Sequence, residues 1–221
     1  MLSRFKNQTK RWLVLNFPGL SSLYSTVDDP QEVPVQVAAY RLIIDKYLQE
    51  GDSVLDVGFG LGYGLKMMSE KAKALYGVEV DQKALLRAQK LLVDPKIKDL
   101  KEYDGYNIPF EKGFFDVVTC VDVIEHVPDY NQFLQNLLLV SKRVVVINTP
   151  SRLPEYTNPD GTPKNYWHLR EWSFGEFDEI LNGLKLPYEW NILNGSWEGP
   201  YHISSQPTNQ SMALIPAIFI K

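Results

Sequence analysis

Residues 54–64 read Val-Leu-Asp-Val-Gly-Phe-Gly-Leu-Gly-Tyr-Gly: an apolar strand that runs into alternating glycines and then into a helical pattern. Glycine adopts left-handed backbone angles without steric cost and lets a ligand approach the main chain closely. A strand, a glycine turn and a helix in that order belong to α/β sheets, which bind ligands at the carboxyl ends of their strands. The rest of the chain must therefore supply further parallel strands and crossover helices.

The pattern on either side does so. Residues 32–49 place Val37, Tyr40, Ile43, Ile44, Tyr47 and Leu48 on one helical face, stopped by Gly51. Strands are expected at 53–57, 74–80, 97–103, 115–121 and 143–148, and helices at 63–72, from Asp81 to about 92, and from Asp129 to about 140. Periodicity then disappears over 150–172, a loop holding Pro150, Pro154, Pro159 and Pro163 together with Tyr156, Tyr166, Trp167 and Trp172. A loop of that length in a compact domain is usually functional or disordered, and its aromatics argue for order. Ser173 and Glu176 form a capping box for a helix ending near Asn182 and Gly183. Residues 188–193 and 212–220 read as final strands, antiparallel in part.

Composition narrows the class. The 221 residues carry a formal charge of −4, are 44% hydrophobic and include one cysteine, Cys120. Disorder, an internal disulfide and a cysteine-rich metal cluster are excluded. Net acidity argues against a nucleic-acid partner. The apolar stretch Met212–Ile220 is too short to span a bilayer, so a cytoplasmic location is expected. Residues 1–27 carry Arg4, Lys6, Lys10 and Arg11 and no acid, which leaves the remainder more acidic than the total. They read as a basic arm packed on the domain, with weak membrane-surface contact through Trp12, Leu13, Leu15 and Phe17 as the alternative. The expected organisation is one domain: arm 1–27, cofactor-binding core 28–149, aromatic substrate loop 150–172, and C-terminal helix and strands 173–221.

Glu79 closes the strand after the glycine turn, about twenty residues on, where an acid accepts hydrogen bonds from ribose hydroxyls. A nucleoside is thus expected across the first two strands. The dinucleotide fingerprint needs glycine where Tyr63 stands. Asp56, just before the turn, would repel a pyrophosphate but suits a cation. A nucleoside joined to a sulfonium and an amino-acid ammonium, S-adenosylmethionine, meets those requirements. The alternatives are structural: Asp56 capping the turn through backbone amides, Glu79 as a solvated strand end, and Asp104 as a turn residue before Gly105.

With these motifs in place, the chain from about Gly51 to Ser141 resembles the class I S-adenosylmethionine-dependent methyltransferases. The resemblance rests on VLDVGFGLGYG (54–64), GVEVD (77–81), residues 102–129 and VVVINTP (144–150), and is greatest to small-molecule enzymes of the ubiquinone O-methyltransferase type (the type 11 group). It implies a Rossmann-like seven-stranded sheet ordered 3-2-1-4-5-7-6, the last strand antiparallel, with helices on both faces. It also implies that Asp56 lies near the methionine amino group and that Gly58, Gly60 and Gly62 line the methionine portion. Glu79 would bind the ribose, Asp104 and Gly105 would lie by the adenine, and Asp122 would face the methyl group. Phe59, Tyr63, Val80 and Cys120 complete the expected cofactor contacts, although Cys120 also reads as a small core residue and Phe59 replaces a smaller or polar one. S-adenosylhomocysteine would be the product.

The acceptor end is marked by Asp122, Glu125 and His126 after the fourth strand, and by His168 in the aromatic loop. Transfer to a hydroxyl needs alignment and a base near neutral pKa, a role that suits histidine. His126, His168 and Asp122 are the catalytic candidates; Glu125, Tyr156, Tyr166 and Trp167 are the substrate contacts. His202, in GPYHISS, has less to support it. The alternatives are a Glu125–His126 pair that orders its loop and a His168 that caps the helix at Ser173. Asp122, Glu125, His126 and His168 also offer carboxylate and imidazole ligands like those that hold a divalent ion in some methyltransferases, but many relatives keep the Glu–His pair without metal, and none is assigned. The expected function is methyl transfer to a small molecule, most plausibly at oxygen. A sugar or glycan-intermediate acceptor and a non-catalytic cofactor-binding regulator are the alternatives. The oligomeric state is left open.

Overall fold

A computed structural model describes residues 33–196 and 199–220. The basic arm expected at 1–27 lies outside these residues. The elements are α1 (Pro34–Lys46), β1 (Ser53–Val57), α2 (Tyr63–Met68), β2 (Ala74–Glu79), α3 (Gln82–Leu91), β3 (Ile97–Glu102), β4 (Phe115–Val121), α4 (Tyr130–Val140), β5 (Ser141–Pro150), α5 (Phe174–Gly183), β6 (Tyr188–Asn194), β7 (His202–Ser204) and β8 (Ser211–Phe219). Single 3₁₀ turns occupy Ile124–His126 and Pro154–Tyr156.

One sheet runs β3-β2-β1-β4-β5-β8-β6-β7. β1 to β5 pair in parallel, while β8 is antiparallel to both β5 and β6. With β8 read as the seventh strand, the expected order 3-2-1-4-5-7-6 is present. The eighth strand is the short edge β7, paired antiparallel to β6. It was missed because three residues carry no period. His202 starts β7 and lies three strands beyond β5, so it is removed from the cleft at β1 and β4.

Strand alternation sorts side chains into two cores. Val54, Val117, Val144 and Val146 pack with α1 and α2 on one face. Leu55, Val57, Val118, Cys120, Val145 and Ile147 pack with α4 and α5 on the other. Asp56 and Thr119, fully buried and paired across β1 and β4, occupy positions on the α1 face where an apolar residue would be expected.

Most boundaries follow the sequence. Asp81 accepts from the Lys83 and Ala84 amides, Asp129 from Gln132, and Ser173 and Glu176 close the capping box. α2 stops at Met68 rather than Ala72. The Glu70 and Lys71 amides bond three residues back, to Met67 and Met68, and tighten the last turn. The stretch 150–172 is an ordered loop. Its ends meet through Ser151 and Trp172, and Thr157 pairs with Pro163 as a small hairpin.

Candidate functional site

The glycine turn emerges from β1 with Gly58, Gly60 and Gly62 all at positive φ (71°, 55° and 80°). At Gly60 the amide donates to Glu79 Oε2 at 2.7 Å, and a Cβ there would meet only open space. Glycine at 60 is thus required by the backbone angle rather than by crowding. Gly64 is the reverse case: a Cβ would lie 2.1 Å from Tyr40 Cζ, so the Tyr40 ring fills the room that this glycine leaves.

Glu79 is 6% exposed, not the solvated strand end of the alternative reading. Its other oxygen accepts from the Val80 and Asp81 amides. Burial raises its pKa against the pull of these backbone donors. The carboxylate thereby ties the glycine turn to the end of β2. Val80 and Gly105 stand side by side at the ends of β2 and β3, 3.7 Å from Val80 Cγ1 to the place of a Gly105 Cβ. Asp104 is exposed and accepts from the Tyr106 and Asn107 amides and from Asn107 Nδ2. It is the turn residue of the alternative reading, located where an adenine contact was expected.

Asp56 departs from expectation. It has no exposed surface. Thr119 Oγ1 donates to Oδ1 at 2.7 Å, and the Tyr40 hydroxyl lies 3.0 Å from Oδ2 and 3.2 Å from Oδ1. Burial pushes its pKa up to about 7 although the hydroxyls oppose the shift. It neither caps the turn through amides nor opens to the cleft; a direct ammonium contact is closed off by the Tyr40 ring. Phe59 and Cys120 are also redirected. The Phe59 side chain is 3% exposed and packs against Gly77 in the α1-side core, so only its backbone faces the turn. Cys120 is wholly buried in the α4-side core, which leaves its thiol as packing and raises its pKa.

At the end of β4, Asp122 adopts φ 53°, a left-handed angle uncommon for a residue with a side chain. Its amide bonds to the Asn148 carbonyl at 2.9 Å. Asn148 Nδ2 donates to Oδ1 at 2.7 Å and Gln36 Nε2 to Oδ2 at 2.6 Å. Gln36 Oε1 in turn accepts from the Tyr63 hydroxyl. Asp122 is thus clamped from α1 and β5; burial raises its pKa and the Gln36 bond restrains the rise.

The structure brings Glu125, His126 and His168 together: one ligand atom from each lies within 4.8 Å of the others. His126 Nδ1 is 2.9 Å from the Trp167 carbonyl, and His168 Nδ1 is 2.6 Å from Glu171 Oε1. Since the carbonyl can only accept, His126 Nδ1 carries the proton and Nε2 carries the lone pair. Burial and the neighbouring His168 hold the His126 pKa below its ordinary range. Glu125 is fully buried; Thr149 Oγ1 donates to Oε2, and Oε1 has no partner. Burial and Asp122 push its pKa well up. His168 pairs with Glu171 and Asn165 rather than capping the helix at Ser173.

The aromatic loop is fixed to this cluster. The Leu169 amide donates to the Glu125 carbonyl, and the Arg170 guanidinium donates to the carbonyls of Val127 and Pro128 while lying over the Tyr130 ring. The Tyr166 and Trp167 rings lie 4.6 Å apart between centroids at a tilt of 39°, and the Trp167 carbonyl meets His126. Tyr156 is exposed at the hairpin base. The sequence reading missed Gln36, Tyr40, Thr119, Asn148, Glu171 and Arg170. Three carried a signal: Gln36 and Tyr40 are spaced i and i+4 on one helical face, and Asn148 ends the apolar run Val144–Ile147.

Residues 55–144 match the family model described as "Methyltransferase domain". The chain is 32% identical over 152 residues to a probable S-adenosylmethionine-dependent methyltransferase of Mycolicibacterium smegmatis, covering 66% of this chain and 57% of that one. It is 32% identical over 113 residues to a ubiquinone biosynthesis O-methyltransferase of Psychrobacter cryohalolentis, covering 48% and 43%. The chain spans about half the length of the curated relatives it matches. Among solved structures it is similar in fold to the magnesium protoporphyrin IX methyltransferase of Synechocystis with bound S-adenosylhomocysteine. That match has a TM-score of 0.61, 16% identity and coverage of 97% of this chain and 99% of that one.

Proposed function

We propose that the chain is an S-adenosylmethionine-dependent methyltransferase, a reading that the match of residues 55–144 to the methyltransferase-domain model supports, and that it transfers a methyl group to a small-molecule hydroxyl. The observation that carries the reading is the continuity of the cleft. The Glu79–Gly60 tie lies at the ends of β1 and β2, Asp122 lies at the adjoining end of β4, and the Glu125–His126 turn that follows it meets His168 of the loop. Glu79, the glycine turn, Val80 and Gly105 would hold the nucleoside. When bound, S-adenosylmethionine supplies an electrophilic methyl on a sulfonium, open to in-line displacement. His126 Nε2 would take the hydroxyl proton; its depressed pKa keeps that nitrogen unprotonated at neutral pH and also makes it a weaker base than an ordinary histidine, so alignment carries more of the rate. Tyr166 and Trp167 would flank the acceptor, and the loop 150–172 would wall it from water.

The O-methyltransferase relatives favour oxygen as the acceptor atom. The same aromatic pair suits a sugar or glycan intermediate, and a non-catalytic regulator would share the donor half. Among the described residues no helix is long and apolar enough to cross a membrane. Calorimetry with S-adenosylmethionine, S-adenosylhomocysteine and NAD tests the reading. Saturable binding of the first two is expected, and binding of NAD alone would overturn it.

A second reading, favoured by the orphaned Glu125 Oε1, places a divalent cation on Glu125, His126 and His168. His126 fits, with Nδ1 on the Trp167 carbonyl and Nε2 4.0 Å from Glu125 Oε1, whereas His168 Nε2 lies 2.8 Å from Asn165 Nδ2 and would have to leave that amide to bind an ion. Such an ion would lower the pKa of an acceptor hydroxyl. Titration with Mn²⁺ should raise the melting temperature of the wild type and leave Glu125→Gln unmoved; no shift in the wild type removes the ion.

A further inference from the structure

Residues 82–98 differ in charge from the rest of the chain. They hold Lys83, Arg87, Lys90, Lys96 and Lys98 against one acid, Asp94, whereas the whole chain carries −4. Asp94 accepts from the Lys96 amide at 2.8 Å. Lys96 Nζ donates to the Ser69 carbonyl and Lys98 Nζ to the Pro95 carbonyl. Lys83 and Lys90 are exposed on α3, and among the described residues no acid pairs with either ammonium.

Apolar side chains stand among these cations. α3 buries Ala84, Leu85 and Ala88. Its outer face and the turn after it carry Leu86 at 59% exposure, Leu91 at 61% and Val93 at 90%. Spacing of three and four residues sets Lys83, Leu86 and Lys90 in one row, and Leu91 and Val93 follow at the helix end. Leu92, between the two most exposed of them, packs instead on Gly62, its Cδ1 2.4 Å from the place of a Cβ there. The helix end is thereby seated on the glycine turn.

Charge and shape separate the occupants this face could take. A second copy across a two-fold axis would set Lys83 and Lys90 against their own equivalents. Three aliphatic side chains also fall well short of the roughly 800 Å² per partner that stable interfaces bury. Residues 1–27, with Arg4, Lys6, Lys10 and Arg11 and no acid, have the wrong sign to cover it. A folded partner would need a pocket for Val93, which has little of its own chain around it. A fluid anionic bilayer suits all of these features. Protruding aliphatic groups enter the acyl boundary, lysine ammonium groups stay at phosphate level on their apolar stems, and the charges are complementary.

We propose that the outer face of α3 and residues 92–95 form a docking surface for an anionic phospholipid bilayer, with Leu86, Leu91 and Val93 entering the interface and Lys83 and Lys90 on the headgroup phosphates. The surface is independent of the reaction assigned to the cleft. Through Leu92 it brings the glycine turn beside the bilayer.

Cosedimentation of the full chain with vesicles tests the surface. Phosphatidylcholine vesicles with about 30% phosphatidylglycerol should bind the wild type at least about tenfold more tightly than pure phosphatidylcholine, and salt should weaken that binding. Lys83→Gln with Lys90→Gln should reduce it about 25-fold. Leu91→Ser with Val93→Ser should reduce it about tenfold. Lys112→Gln with Lys185→Gln, exposed cations on other elements, should leave it within about twofold. All three double variants should melt with the wild type, because each residue is exposed. A wild type that ignores anionic vesicles overturns the surface. So does an equal loss in the Lys112 and Lys185 pair, which would make the attraction a property of total charge. Loss in the Lys83 and Lys90 pair with none in the aliphatic pair also overturns it, because Leu91 and Val93 would then lie outside the bilayer. A dimer in sedimentation equilibrium that the aliphatic pair dissolves, without vesicle binding, gives the face to a second copy instead.

Discussion

The two halves of the cleft are built on the same sheet and differ in how their polar groups are satisfied. On the β1–β2 side every acid has protein partners: Glu79 holds three backbone amides, Asp56 two hydroxyls, and Asp104 its own turn. On the β4–β5 side two fully buried oxygens, Glu125 Oε1 and Asn148 Oδ1, lack one, and Asp122 sits at a strained backbone angle. Leaving a buried polar atom unpaired costs roughly 1–3 kcal/mol. The first half is thus satisfied as folded, and the second keeps the unpaired groups.

The sharpest break in this comparison is Glu79→Ala. It removes the proposed ribose acceptor and releases the Gly60 amide, so affinity for S-adenosylhomocysteine should fall about 100-fold, about 2.7 kcal/mol. Calorimetry that finds less than a threefold loss would strip the finished half of its anchor. Next is Asp56→Asn. The folded pKa of Asp56 is raised from 3.8 to about 7. Its stabilising contribution is therefore fully present below the unfolded pKa and is lost as pH rises through about 7. Relative to wild type, the variant should gain about 2 kcal/mol between pH 5 and pH 8, read as a melting-temperature difference that grows with pH. A difference that stays flat would mean Asp56 is ionised throughout.

On the unfinished side, Arg170→Ala deletes the bonds to the Val127 and Pro128 carbonyls. A loss of roughly 1–2 kcal/mol is expected in denaturant titration, with S-adenosylhomocysteine affinity retained. Weaker nucleoside binding would show that the two halves are not separable. The smallest effect belongs to Asp104→Ala. This exposed turn residue should change affinity less than about threefold; a tenfold change would give it the adenine role that the resemblance implied.

What was legible in the sequence follows the same division. The glycine turn and Glu79 could be read because local backbone chemistry fixes them. The strands could be read because two-sided burial writes continuous apolar runs such as Val144–Ile147. The His126–His168 pairing was readable only as a possibility, since 41 residues of helix, strand and loop separate them and the contact depends on tertiary docking. The sealing of Asp56 was not readable at all. Its hydroxyl partners, Tyr40 and Thr119, come from a helix and a strand whose approach no local pattern encodes. β7 escaped for a similar reason, as an edge strand defined by its neighbour.

The stitching of residues 167–170 to residues 125–128 carries an evolutionary consequence. Backbone carbonyls supply most of those stitches, so they survive changes of side chain at 125, 127, 128 and 167. The hairpin at 157–163 hangs outside them, closed by its own Thr157–Pro163 pairing. Length and chemistry at that tip can drift without moving the histidines. The fold thus separates a hinge stitched by main-chain carbonyls from a tip that closes on itself.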